Sequence, residues 1–265
     1  MKENIIVEYL DKIALLKLNR AEVFNSLNVD IAKQFISILD DLEANNNVYS
    51  LVITGDGDAF CAGAELNQEL IQGNSNRSLG ENLNKDMEDY FNIWIIKLTY
   101  FPKPVIIALN GVAAGAGVGL ALAGDIIIAA EKSYFLLTFM PKLGLIPDLG
   151  SSWQLLRTIG LARSKALTLT GEKLDAQKAK DWGVVWKVVK DEFLITESMK
   201  LASQLSSLPV YAKSEINNLY RQSFVNTLVE QLDYERIKQS ELFDSNEFQE
   251  GVKSFMEKRK PQFKK

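Results

Sequence analysis

Asp148 is a candidate for proton chemistry in this chain. It follows Gly144-Leu145-Ile146-Pro147 and precedes Leu149-Gly150, with Trp153 close behind, so its local sequence is apolar. A carboxyl group among apolar neighbours has its pKa raised and becomes a usable acid and base. A plain helix N-cap is the alternative, because a helical pattern starts near Ser151. Two small-residue corners are the other candidates. Ala59-Phe60-Cys61-Ala62-Gly63-Ala64-Glu65-Leu66 and Asn110 to Gly119 each follow an apolar strand pattern. Such corners expose backbone N–H groups, and two together form a cradle for an oxygen that gains charge during a reaction. For the stretch Pro102 to Asp125, tight packing by small residues is the alternative.

Absences narrow the chemistry. The 265 residues include no histidine and one cysteine, Cys61. Ser-His-Asp and Cys-His catalysis, His-ligated metals, Cys-based zinc sites and disulfides within the chain are therefore excluded. A carboxylate, Lys, Tyr or Cys must carry any proton moved near neutral pH. Gly115, Gly117 and Gly119 are spaced two and two. The dinucleotide fingerprint needs its third glycine three residues after the second, where Leu120 stands. No Gly-Lys-Ser/Thr phosphate loop is present. With 30 basic and 34 acidic residues the net charge is -4, so no nucleic-acid partner is expected. Lys258-Arg259-Lys260 reads as a solvated helix end, with a phosphate contact left open. No run approaches the roughly 18 apolar residues of a membrane span, and the N-terminus lacks a signal-peptide core. A cytoplasmic protein without membrane association is expected.

The elements that must hold these groups alternate. Ile5–Tyr9 and Ile13–Leu18 read as a hairpin. Asn28 caps a helix reaching Ala44, and Val48–Thr54 is a strand. A helix start is expected near Ala64, then a loop over Gln68–Glu81. Met87, Tyr90, Phe91, Trp94, Ile95 and Leu98 mark an amphipathic helix closed by Pro102 and Pro104. Strands follow at Val105–Leu109, Ile126–Ala130, Tyr134–Thr138 and Val184–Val189. Helices are expected at Ser151–Ile159, Ala162–Thr170 and Ala176–Trp182, the last capped by Asp175. From Glu192 on the pattern is helical only, over 192–207, 209–223, 226–243 and 246–258. Alternating strands and helices argue an α/β class.

The chain resembles the crotonase (enoyl-CoA hydratase/isomerase) superfamily. The resemblance rests on Leu18-Asn19-Arg20, Phe60 to Leu66, Pro102-Lys103-Pro104-Val105, Asn110 to Gly117, Gly124-Asp125, Gly144-Leu145-Ile146-Pro147, Thr170-Gly171 and Phe255 to Phe263. It implies the crotonase (ClpP-like) fold, a spiral of ββα units over residues 1–195 holding an acyl-CoA site. A helical trimerisation region over 196–265 follows. It also implies an acyl-CoA thioester substrate and a homotrimer or dimer of trimers. No separate cofactor is implied, coenzyme A being part of the substrate. The backbone N–H groups of Ala64 and Ala116 would polarise the thioester carbonyl and hold an enolate. Glu22, Val23, Ala62, Glu65 and Leu66 would line the path of the CoA moiety. Phe255 and Lys258 match positions through which a neighbouring subunit touches its nucleotide part.

The departures from the family pattern matter most. Hydratases of this family use two glutamates, where this chain has Gly119 and Met140. Asp148 stands where hydratases usually have glycine, and in this the chain resembles the phenylacetate-degradation isomerases that act on ring-1,2-epoxyphenylacetyl-CoA. The resemblance implies an isomerase with Asp148 as single acid/base. A hydratase or hydrolase using Asp148 to activate water is the alternative, and a non-catalytic acyl-CoA-binding protein is another. Phe139, Met140, Leu149 and Trp153 could line an aromatic acyl pocket or simply pack the core.

Overall fold

The computed structural model describes residues 3–66 and 77–263. The expected loop over 68–81 lies mostly outside these residues, as does any helix beyond Leu66; Ala64 itself forms a parallel bridge to Leu27.

Two sheets organise the fold. The larger has the order β1(Ile5–Leu10), β2(Ile13–Leu18), β3(Ser50–Gly55), β5(Val105–Leu109), β7(Ile126–Ala130), β10(Lys187–Val189). The smaller has the order β4(Ala59–Cys61), β6(Val112–Ala114), β8(Tyr134–Leu136), β9(Leu174–Asp175). β1 and β2 pair antiparallel as the expected hairpin. β2, β3, β5, β7 and β10 then pair parallel. The chain repeatedly runs from a long strand of the large sheet into a short strand of the small one and then toward a helix. This is the α/β spiral of ββα units expected for the crotonase fold.

The continuous apolar run of β5 is explained by burial on both faces, as is usual for a parallel strand. Val105, Ile107 and Leu109 join one core with Phe35, Trp94 and Phe135. Ile106 and Ala108 join a second core with Leu15, Val52 and Ile128. The helix Leu194–Leu205 covers that second core through Leu194 and Ala202. The expected division between residues 195 and 196 falls in its first turn.

Local signals are met where side chains can act on their own backbone. Asn28 accepts from the Ile31 N–H (3.0 Å) and Asp175 from the Lys178 N–H (2.8 Å), each capping its helix. Helix Leu79–Asp86 runs through a π turn, Met87–Phe91, into helix Asn92–Thr99. The two helices expected at 151–159 and 162–170 form one segment, Ser151–Thr170, broken at Gly160 with φ 77. The expected strand at Val184–Val189 shortens to Lys187–Val189, because Val184 and Val185 turn into the core. The C-terminal helices span Val210–Ser223, Leu228–Phe243 and Asn246–Met256. Lys213 ties the first of them to the core, donating to Asp125 Oδ1 (2.9 Å) and the Phe101 carbonyl (3.0 Å). Among the described residues no helix is long and apolar enough to cross a membrane.

Candidate active site

The first corner is pinned against the loop that follows β2. Asn25, fully buried and in a left-handed conformation (φ 56), accepts from the Arg20 N–H (2.9 Å). It donates to the Asp56 and Ala59 carbonyls (2.9 and 2.8 Å). Ala62 N–H donates to Phe24 O (2.9 Å), Leu27 N–H to Gly63 O (2.7 Å) and Glu65 N–H to Leu27 O (2.8 Å). This ladder leaves Ala64, between two bonded neighbours, with its N–H turned away from the partner strand. It also joins Phe24, which follows the turn Ala21–Val23 holding Glu22 and Val23, to Ala62, and Leu27 to Glu65, the residue before Leu66.

Glu65 is committed to structure. Its Oε2 accepts from Arg20 Nη1 (2.8 Å) and Asn28 Nδ2 (3.0 Å), and the hydrogen bond from Arg20 is the main reason its carboxyl titrates below the usual range. Ala62 and Leu66 are exposed at the same edge.

The second corner follows β5 and β6. Asn110 bridges to the first by accepting from the Gly55 N–H (3.1 Å) and donating to Gly57 O (2.9 Å). Gly115, with φ 50, turns the chain into helix Ala116–Leu122. Ala116 is the first helical residue, so its N–H has no intrahelical acceptor. The two corners touch. A β-carbon added to Gly63 (φ 96) would lie 2.7 Å from the Ala114 carbonyl oxygen and 3.2 Å from the Ala116 nitrogen. The parallel pairing of Cys61 with Ala113 continues this contact. Among the described residues neither the Ala64 nor the Ala116 N–H donates a hydrogen bond. The two unused donors thus lie on adjoining corners, joined where Gly63 approaches the Ala116 nitrogen.

Asp148 does not cap a helix. Gly150 is the N-cap of Ser151–Thr170, and the Asp148 backbone carbonyl receives the Ser151 N–H (2.9 Å) and hydroxyl (2.7 Å). Its side-chain Oδ1 is buried and, among the described residues, has no hydrogen-bond partner. Burial pushes the carboxyl up from an ordinary 3.8 to about 6. The apolar setting is not the one expected from local sequence: Leu145 and Ile146 are exposed, at 50% and 83%, and only Leu149 is buried. Leu149 packs instead on Gly119, one turn along the helix that starts at Ala116. A β-carbon on Gly119 would lie 2.4 Å from the Leu149 carbonyl oxygen.

The other expected residues distribute as follows. Met140, half exposed in the π turn Phe139–Leu143, has no proton to move. Phe139 is buried in the main core, whereas Leu149 and Trp153 line a cavity of about 220 Å³ with Gly119, Ile95 and Tyr100. Cys61 is fully buried, and burial pushes its thiol up to about 12. Phe255 lines a separate cavity of about 480 Å³ with Phe243, Phe248, Val252 and Phe263, and Lys258 follows it in a left-handed conformation (φ 54). Within one chain these two are not brought to the corners.

Comparison with known proteins fixes the relationship. A family model described as enoyl-CoA hydratase/isomerase matches residues 8–265. The chain belongs to the enoyl-CoA hydratase/isomerase (crotonase) family. It is 40% identical over 259 residues to a 1,2-epoxyphenylacetyl-CoA isomerase of Escherichia coli (strain K12), covering 97% of each chain. It is 34% identical over 256 residues to a probable enoyl-CoA hydratase of Rhodobacter capsulatus, covering 97% of this chain and 96% of the relative. Among solved structures it is similar to an enoyl-CoA hydratase from Polaromonas sp. JS666, with a TM-score of 0.91 and 35% identity over 98% of this chain and 99% of that one. Enoyl-CoA hydratase/isomerase relatives named for isomerisation and for hydration thus both match nearly end to end.

Two positions escaped the sequence reading: Arg20 as the partner of Glu65, and the Gly119–Leu149 contact. The triplet Leu18-Asn19-Arg20 carried a signal for the first, but nothing local marks a contact between residues 30 positions apart.

Proposed function

We propose that this chain is an acyl-CoA isomerase in which Asp148 is the single acid/base and the N–H groups of Ala64 and Ala116 hold the thioester oxygen. One observation carries the reading. The Asp148 carboxyl, raised to about 6, has a buried oxygen with no hydrogen-bond partner among the described residues, on a turn whose next residue packs on the helix that starts at Ala116. At pH 7 a group with that pKa is roughly nine-tenths ionised, ready to accept a proton, and its conjugate acid is strong enough to return it.

For a 3-enoyl thioester the steps balance without any added atom. The Asp148 carboxylate takes a proton from C2, and the electron pair moves toward the carbonyl oxygen to give a dienolate. The two N–H groups donate to that oxygen. One such donor typically contributes about 2.7–4 kcal/mol to the barrier reduction. The pair of electrons then returns through C2 and C3, and C4 takes the proton from the Asp148 carboxylic acid. The double bond has moved from 3,4 to 2,3, and the carboxylate is regenerated. No cofactor is needed beyond the coenzyme A of the substrate. The Escherichia coli relative, a 1,2-epoxyphenylacetyl-CoA isomerase, supports a second candidate substrate, 1,2-epoxyphenylacetyl-CoA, whose isomerisation likewise neither adds nor removes atoms.

Gly119 and Met140 support isomerisation over hydration, since neither can activate water. The competing reading, a hydratase or hydrolase that uses Asp148 for this, is favoured by the hydratase names among the relatives. Incubation with 3-enoyl-CoA, 2-enoyl-CoA and 1,2-epoxyphenylacetyl-CoA separates them. Conversion of the 2-enoyl substrate alone to a hydroxyacyl product refutes the isomerase. A complete lack of turnover would point to an acyl-CoA-binding protein. The residues Phe255 and Lys258 enter this proposal as contacts a neighbouring subunit offers to the nucleotide end of CoA, in a trimer or a dimer of trimers.

A further inference from the structure

Asp148 is held from both sides. Toward the helix that follows, its carbonyl is fixed by Ser151. Toward the site, the next residue is pressed on Gly119. A β-carbon at 119 would lie 2.4 Å from the Leu149 carbonyl oxygen, 2.7 Å from Leu149 Cβ and 3.0 Å from its carbonyl carbon. Real β-carbons do not approach backbone atoms this closely, so any side chain at 119 must displace the 148–150 turn. Leu149 pays for its seat with φ 46, a left-handed conformation rare for a bulky residue and kept only where the surroundings enforce it. Its side chain is 5% exposed, and Gly150 continues the turn at φ 74. Gly119 and Ala116 are three apart on one helix, hence on the same face.

We infer that Gly119 is a positioning residue: its bare α-carbon seats the Leu149 backbone on the helix that starts at Ala116, and that seat sets where the Asp148 carboxyl stands relative to the Ala116 N–H. The inference rests on the reading of Asp148 as the acid/base. Spacing between the proton carrier and the oxygen donors is then a property of one backbone contact. A misplacement of about 1 Å at a reacting group typically lowers rate about 100-fold.

Gly119→Ala and Leu149→Ala test it. The first lifts the turn. The second removes its buried anchor without adding bulk, so it decides the matter if Gly119→Ala does not fold. With 3-enoyl-CoA, Gly119→Ala is expected to lower kcat about 100-fold and to change KM less than about threefold. Leu149→Ala acts in the same direction. Independently of turnover, ¹³C-carboxyl NMR of aspartate-labelled protein reads the Asp148 titration, assigned by its absence in Asp148→Asn. In both variants its midpoint is expected to fall from about 6 toward the ordinary carboxylate range, because the displaced group meets water. A purely structural glycine would not move that midpoint. Folded variants with unchanged kcat and unchanged midpoint overturn the inference. Asp148→Asn with wild-type turnover would instead overturn the acid/base reading, and the NMR midpoint would still decide the positioning.

Discussion

Replacing Asp148 by Asn should stop turnover and stabilise the fold, the second effect appearing only above a definite pH. The carboxyl is raised from 3.8 to about 6 by burial. The folded state therefore holds the proton more tightly than the unfolded chain. Below about pH 3 both states are protonated and the group has no effect on stability. Between about 3 and 6 the unfolded chain releases its proton first, and above about 7 the burial of the charge opposes folding in full. The gap of about two pH units, at about 1.36 kcal/mol each, sets a ceiling of about 3 kcal/mol. Partial hydration of the group lowers the expectation to about 1–2 kcal/mol, or roughly 3–6 °C in Tm for a chain of this size. Asn has nearly the same shape and no charge. Thermal unfolding of the two proteins at pH 4 and pH 8, with kcat measured alongside, gives both readings. The expected pattern is little Tm gain at pH 4, a clearly larger gain at pH 8, and kcat lowered about 10²–10⁴-fold, the usual contribution of a general acid/base. A Tm difference independent of pH, or a variant that is active and no more stable at pH 8, would refute the reasoning.

Other outcomes follow from the same geometry. In the wild type, kcat/KM should rise with pH through an apparent pKa near 6, because the carboxylate is the form that starts the reaction; a profile flat from pH 5 to 8 contradicts this. Gly63→Ala places a β-carbon 2.7 Å from Ala114 O and 3.2 Å from Ala116 N at a residue with φ 96, so the oxygen cradle should open and kcat fall about 10²–10³-fold in steady-state assays. Lys213→Ala leaves Asp125 without its cation and should destabilise by about 1 kcal/mol, read as a shift of the denaturant midpoint. Cys61, buried with its thiol pushed up to about 12, should resist iodoacetamide in the native protein and react only after unfolding, as mass spectrometry would record.

The parts of this molecule that were legible in the sequence are those decided by near neighbours. The apolar run Val105–Leu109 names a strand buried on both faces, and Asn28 and Asp175 name their helix starts, because the cap acts three residues away. The two corners were legible as turns because glycines such as Gly63 and Gly115 take the positive φ that other residues avoid. Asp148 stood open between N-cap and buried acid. Gly150 took the capping position, Leu145 and Ile146 stayed exposed, and the residue after Asp148, Leu149, seated itself on Gly119. That outcome depends on a contact across 30 residues. The two-residue strand Leu174–Asp175 and the pairing of Arg20 with Glu65 over 45 positions escaped in the same way, since each draws its energy from a partner that only the fold supplies.

The most direct measurement follows a 3-enoyl-CoA incubated in D2O with the wild type and with Asp148→Asn. The wild type is expected to give the 2-enoyl isomer with no water gained, C4 receiving either the proton carried from C2 or a deuteron exchanged onto the carboxyl, and Asp148→Asn to give neither exchange nor product. A product heavier by one water, or exchange at the wild-type rate in Asp148→Asn, would contradict this mechanism.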